Sequence, residues 1–265
     1  KIVSISLKTQ PVDPLAILHK IAEPSQLHFY IEKPNKGEAI AAIDAAIKLK
    51  VEGRDRFYQA QAFIDSCLAN TIATGDLHLP FSGPHFFCSF TFFDENIVGH
   101  SPFSAATVFL PRWQVASRKD CSVIVANLVI DFEVNLDNLI EKINQTFKFI
   151  HSFANKNIPN NSDYISRPTH NITDKSNFKS SVRSALKSIQ LNHINKVVLA
   201  SAVDISSPTV FKQINSLKNL RISHPDCYIF STSNGQGKNF IGASPERLIK
   251  IQNKELETDA LAGSA

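Results

Sequence analysis

The 265-residue sequence contains no methionine, one tryptophan and nine glycines, and none of its four cysteines lies in a CxxC pair. The wide spread of Cys67, Cys88, Cys121 and Cys227 excludes a zinc knuckle and a dithiol redox motif, so reduced, mostly buried thiols are expected. Histidines are scattered too, and His78 and His85 in "HLPFSGPH" lack the i, i+4 spacing of a helical metal pair. Neither sign of charge dominates: 28 Lys and Arg against 24 Asp and Glu leave a formal net charge of +4, and no Lys/Arg block is interleaved with stacking aromatics, which argues against a nucleic-acid groove. The longest apolar run, "SVIVANLVI" from Ser122 to Ile130, is less than half of the roughly 20 residues that a membrane span needs. "KIVSISLK" at the start is too short and too alternating for a signal peptide. The chain thus reads as cytoplasmic, with neither nucleic acid nor membrane as a partner. The lack of methionine even at position 1, and an end at Ala265 directly after an apolar, glycine-containing motif, read as a fragment. No GxSxG elbow, P-loop or HExxH occurs, and Gly235, Gly237 and Gly242 are followed by a strand rather than the helix that a dinucleotide loop requires.

What is present suffices for a substantial core, since 43% of the residues are hydrophobic. Segments of period two and period 3.6 alternate without an internal repeat. "KIVSISLK" and "LHFYIEK" read as strands. Helices are expected over Gly37–Lys50 and over Arg54–Ala73, the second with Phe57, Ala60, Ile64, Cys67 and Leu68 on one face. Period two then returns around Phe86–Phe93, "ATVFLPRWQVAS" and "CSVIVANLVIDF", which predicts an antiparallel meander. A helix over Leu136–Ile150 carries Leu136, Leu139, Ile140, Ile143, Phe147 and Ile150 inward. Residues 1–150 form the N-terminal half in this reading, and the Asn-, Ser- and Pro-rich stretch 151–177 is a polar connecting loop. Beyond it, a helix over about Lys175–Leu191, a buried strand "KVVLASAVDI", a helix opening at Pro208 and the strands "CYIFSTS", "NFIGAS" and "RLIKI" are expected, with "NGQGK" as a tight turn.

Two charges are out of place in this pattern. Lys196 opens a β-branched run that should be buried, and Glu246 interrupts "FIGASPERLIKI". A lysine at a strand mouth usually snorkels to water and a glutamate after "SP" is usually a solvated turn residue, so position alone does not make either catalytic.

The segments "INKVVLAS", "FIGASPERLIKI" and "TDALAGSA" together resemble the chorismate-utilising enzymes, isochorismate synthases in particular. "HFYIEKPNKGEAIAAIDAA", "GRDRF" and "VFLPRWQV" are similar to the less constrained front half of the same enzymes. The resemblance implies an α+β fold in which two antiparallel sheets pack face to face with helices outside, its C-terminal part missing here, and residues 178–265 as the first part of the chorismate-binding catalytic region. It implies that Lys196 and Glu246, 246 − 196 = 50 residues apart, are general base and general acid. Ammonia-using relatives typically carry glutamine where Lys196 stands, and an amide cannot deprotonate water. Aminodeoxychorismate synthases carry a lysine where Ala262 stands. The implied reaction is magnesium-dependent isomerisation of chorismate to isochorismate, with water adding at C2 as the C4 hydroxyl leaves; salicylate synthase and a non-catalytic chorismate-binding relative are the alternatives. The backbone at Ala262 and Gly263 and the amide and hydroxyl of Ser264 are implied substrate contacts. Magnesium ligands are expected beyond Ala265 rather than at Glu255, Glu257 or Asp259, the whole protein is expected to be a monomer, and the fragment alone is expected to be inactive. Ser201 departs from the arginine that relatives often have after "VVLA".

Overall fold

The computed structural model describes residues 1–95, 101–132, 135–153, 171–174, 178–208 and 210–259. By contacts the chain divides into two units, residues 1–158 with 213–265, and residues 159–212.

The first unit is built on a nine-stranded sheet. In chain order its elements are β1 (Ile2–Thr9), α1 (Pro14–Ile21), β2 (His28–Lys33), β3 (Glu38–Val51), α2 (Arg56–Ala69), β4 (Thr71–Gly75), β5 (Phe87–Phe90), β6 (Ala106–Arg118), β7 (Cys121–Val129) and α3 (Leu136–Ser152). The second unit contributes β8 (Asn171–Asp174), α4 (Phe178–Gln190) and β9 (Val203–Ser206). The first unit then resumes with α5 (Gln213–Ser223), β10 (Tyr228–Ser233), β11 (Asn239–Ser244), β12 (Lys250–Gln252) and β13 (Glu255–Glu257). The strand order is β11-β10-β2-β3-β6-β7-β1-β4, with β5 alongside β6; β12 and β13 form a separate ribbon, as do β8 and β9. Among the described residues all pairings are antiparallel except β1 with β4. The α+β class is as expected, and so is the meander β5-β6-β7.

Alternation along the strands sorts the core into two faces. Tyr30, Ala39, Ala41, Ile43, Val115, Ile124 and Ile229 join Leu15, Ile17, Leu18, Ile150 and Leu217 from α1, α3 and α5. The opposite parity packs elsewhere: Ala42 with Phe87 and Phe109, and Ala116 with Val123, Val125, Leu79 and Phe81. Within β3 the register shifts between Ala45 and Ile47, next to Asp44, which adopts a left-handed φ of 56°. Its carboxylate accepts from the Ala45 amide at 2.8 Å and from Arg112 Nε at 2.9 Å, which compensates the strained backbone. The bulge reverses the faces, so that Ala45 and Ile47 point where Ala42 does. Pro111, which has no amide hydrogen to donate, sits opposite Ala45 at this irregularity.

Several expectations are corrected. Gly37–Lys50 is not a helix but the 14-residue β3. Its alanines favour helix locally, yet β2 and β6 satisfy the strand's backbone on both sides, and Ala41 and Ala42 are completely buried between them. The helix over Arg54–Ala73 ends at Ala69, and the rest becomes β4 beside β1. Leu136 and Ile140, expected inward on α3, are each 55% exposed, while Ile143 and Ile150 are buried. The helix expected from Pro208 begins at Gln213. "KVVLASAVDI" becomes strand only at Val203, in β9, and is exposed, with Val198 at 83%; among the described residues β9 pairs with β8 alone, and a two-stranded ribbon buries little on either face. Among the described residues no helix is long and apolar enough to cross a membrane.

Candidate active site

Glu246 follows the hairpin of β10 and β11. In the connecting turn, Gly235 and Gly237 take φ values of 71° and 77°, and Asn234 Oδ1 accepts from the Gln236 and Lys238 amides. Gly242 has a different role: a Cβ there would lie 2.5 Å from Cζ of Phe230, whose ring rests on it. β11 pairs with β10 through Ser244 and Tyr228. It stops there because Pro245 has no amide hydrogen for a ladder. Glu246 therefore stands outside any strand and is exposed, which corrects its reading as a charge within a strand.

The backbone on either side of Glu246 is tied down. Ser244 Oγ donates to the Glu246 carbonyl oxygen at 2.9 Å. Arg247 Nη2 donates to Glu257 Oε1 at 2.7 Å and to Asp259 Oδ1 at 3.0 Å, fastening the β12–β13 ribbon to this segment. The Arg247 hydrogen bond, reinforced by its charge, holds the Glu257 carboxyl below the usual range. Among the described residues the Glu246 side chain makes no hydrogen bond or ion pair, so a free carboxyl is carried on a fixed backbone.

Lys196 lies in the second unit, in the irregular connection from α4 to β9, and is exposed rather than opening a buried strand. Its ammonium is also without a partner among the described residues. Lys196 and Glu246 are thus each defined within their own unit. Ala262, Gly263 and Ser264 lie outside the described residues.

The sequence reading missed a cluster centred on Arg221 of α5. Its Nε donates to Glu32 Oε2 at 2.8 Å, and Nη1 and Nη2 donate to the two oxygens of Asp13 at 2.8 and 2.9 Å. Nη2 also donates to the Tyr30 hydroxyl at 2.9 Å, and that hydroxyl donates to Glu32 at 2.7 Å. Burial alone would lower the Arg221 pKa, but the Asp13 hydrogen bonds and the surrounding negative field outweigh it and drive the pKa upward. Asp13 also caps α1 by accepting from the Leu15 amide at 3.0 Å, so one carboxylate joins two helices. Close by, Gln213 at the start of α5 donates to buried His28 at 2.9 Å and to Ser231. Burial pushes the His28 pKa down to about 4. The only sequence signal for these groups was an acid, Glu32, two residues from Tyr30 on the inward face of β2.

The family described as chorismate binding enzyme matches residues 1–265. The isochorismate synthase MenF of Escherichia coli is 33% identical over 91 residues, 34% of this chain and 21% of that protein. The salicylate biosynthesis isochorismate synthase of Pseudomonas aeruginosa is 33% identical over 96 residues, 34% and 19% of the two chains. Anthranilate synthase component 1 of Streptomyces coelicolor is 31% identical over 96 residues, 36% and 18%. Among solved structures, the menaquinone-specific isochorismate synthase MenF of Escherichia coli superposes with a TM-score of 0.63 at 20% identity, over 94% of this chain and 51% of that one. The chain therefore spans about half the length of this solved relative.

Proposed function

Because the chain belongs to the chorismate binding enzyme family, we propose that it carries the acid and base of an isochorismate synthase, which isomerises chorismate to isochorismate. Water adds at C2; Lys196, acting as a neutral amine, takes a proton from that water. The ring double bonds shift, the C4–oxygen bond breaks, and Glu246 protonates the departing hydroxyl, which leaves as water. One water enters and one departs, so the reaction is a net isomerisation. The backbone at Ala262 and Gly263 and the amide and hydroxyl of Ser264 are assigned to a hydroxyl or carboxylate of the substrate.

The observation that carries the reading is the pairing of residue types. Lys196 supplies a base where ammonia-using relatives typically have an amide, and Glu246 keeps its carboxyl free while Ser244 and Arg247 tie down the chain on both sides. Magnesium dependence is part of the proposal on the resemblance alone. Among the described residues no group of three or more His, Cys, Asp or Glu side chains is placed to hold a metal, and Glu257 and Asp259 are engaged by Arg247. These residues do not fit a magnesium site, so no step is routed through the ion.

The test is product analysis of the protein incubated with chorismate and magnesium. Isochorismate is expected. Salicylate with pyruvate would favour the alternative, and unchanged chorismate would refute catalysis.

A further inference from the structure

The first unit contains a cavity of about 410 Å³ that the proposed chemistry does not use. Its floor is one row of the sheet: Phe29 of β2, Thr232 of β10 and Phe240 of β11 are register partners across three neighbouring strands. The Phe230 ring lies beside them, 5.6 Å from the Phe240 ring and with its far end over Gly242. The opposite wall comes from β5 and from residues 101–104, with Phe103 set edge-on to Phe240 at 6.5 Å. Phenyl faces and edges line this volume without filling it, and its size falls within the usual range of small-molecule sites, roughly 300–1,000 Å³.

The polar groups narrow the occupant. Among the described residues no ionisable side chain lines the cavity. Thr91 and Ser101 spend their hydroxyls on neighbouring backbone groups. The hydroxyls of Ser89, Ser104 and Thr232, all partly buried, make no hydrogen bond among the described residues. A carboxylate or phosphate entering here would lose water without meeting a cation. Even a neutral polar group left unpaired in apolar surroundings is costly, and an unpaired charge is costlier still. A neutral ring would instead meet aromatic surface on both sides and find hydroxyls able to donate or accept.

We infer that this cavity is a ligand site for an uncharged planar ring compound bearing a carbonyl or hydroxyl group. The inference goes beyond the isomerase reading, because a dicarboxylate such as chorismate is excluded from the cavity on charge.

The experiment is a fluorescence titration of the full chain with 1-naphthol, and with 1-naphthoate as the charged analogue of the same ring. Saturable binding of 1-naphthol at one site per chain is expected, with 1-naphthoate at least about tenfold weaker. Thr232→Val, which removes a hydroxyl at constant shape, should weaken 1-naphthol about three- to tenfold. Gly242→Ala, which drives the Phe230 ring off its seat, should weaken it about tenfold. Phe132→Ser, at an exposed phenylalanine outside the cavity, should leave binding unchanged. If Gly242→Ala fails to fold, Thr232→Val with the naphthoate comparison still decides. Absence of saturable binding, equal affinity for the anion, indifference to Thr232→Val, or an equal loss in Phe132→Ser would each overturn the assignment.

Discussion

Replacing Arg221 by methionine keeps most of the aliphatic stem and removes the guanidinium from the cluster that joins α1, β2 and α5. Four hydrogen bonds are lost, two to Asp13, one to Glu32 and one to the Tyr30 hydroxyl. The partners are poorly placed to recover water, since the Glu32 side chain is 11% and that of Asp13 24% exposed. Removing one partner of a buried ion pair costs about 3–5 kcal/mol. Residual exposure of all three groups places this site at the lower end, about 3 kcal/mol. In urea, with an m-value of about 2–3 kcal/mol/M, the midpoint should fall by about 1 M. Arg221→Lys retains a charge but not the planar fork and should lose about half as much. Tyr30→Phe, which deletes a donor to Glu32 at a fully buried ring, should cost about 1–2 kcal/mol. A double-mutant cycle of Arg221→Met with Glu32→Gln then isolates the pair, with a coupling of about 1.5–3 kcal/mol expected. A midpoint shift below about 0.2 M for Arg221→Met, corresponding to roughly 0.5 kcal/mol, would refute the view that this cluster holds the helices to the sheet.

Other consequences are open to measurement. His28 is held near pKa 4 when folded against 6.5 in its ordinary state, so unfolding takes up a proton between these values. The resulting stability is complete above about pH 6.5 and is lost as pH falls towards about 4, up to about 3 kcal/mol; His28→Gln should flatten that part of a urea-derived pH profile, and an unchanged slope would contradict the burial argument. If the proposed reaction holds, Lys196→Gln and Glu246→Gln should each lower chorismate turnover about 10²- to 10⁴-fold with little change in chorismate affinity, and near-normal turnover in either would remove the acid–base assignment. Chorismate, magnesium and ammonium together should yield no anthranilate or aminodeoxychorismate above background, since Lys196 replaces the amide typical of ammonia-using relatives; substantial amination would point to the lyase branch. Gly75→Ala places a Cβ 2.1 Å from the Ser6 carbonyl at a φ of 91° and should cost at least about 2 kcal/mol in thermal or urea denaturation, whereas Gly53→Ala, at a φ of 93° with open space around it, should cost about 1 kcal/mol; equal effects would show that backbone strain alone decides both.

Elements whose pattern is written in neighbouring residues were legible from the chain alone. Alternation sufficed for β1, for the meander through β6 and β7, and for the β10–β11 hairpin, whose turn glycines take the left-handed conformations that the turn requires. The segments "INKVVLAS", "FIGASPERLIKI" and "TDALAGSA" together likewise pointed to the family, which the match over residues 1–265 bears out. Gly242 was visible as a glycine, but its reason, the Phe230 ring lying across it, was not.

What the sequence could not decide was set by contacts between distant segments. β3 reads locally as helix because alanine favours helix, and it is a strand because β2 and β6 on either side bond its backbone and bury its small side chains. Asp44 reverses the faces of that strand through a single left-handed residue whose carboxylate is held by Arg112, 68 positions away. The run after Lys196 looks buried by composition, yet it is exposed, and among the described residues β9 has β8 alone beside it. Arg221 meets Asp13 across 208 positions, and nothing in the local sequence of either marks it as a partner. Periodicity records which face a residue prefers, and only the completed sheet determines which partner occupies that face.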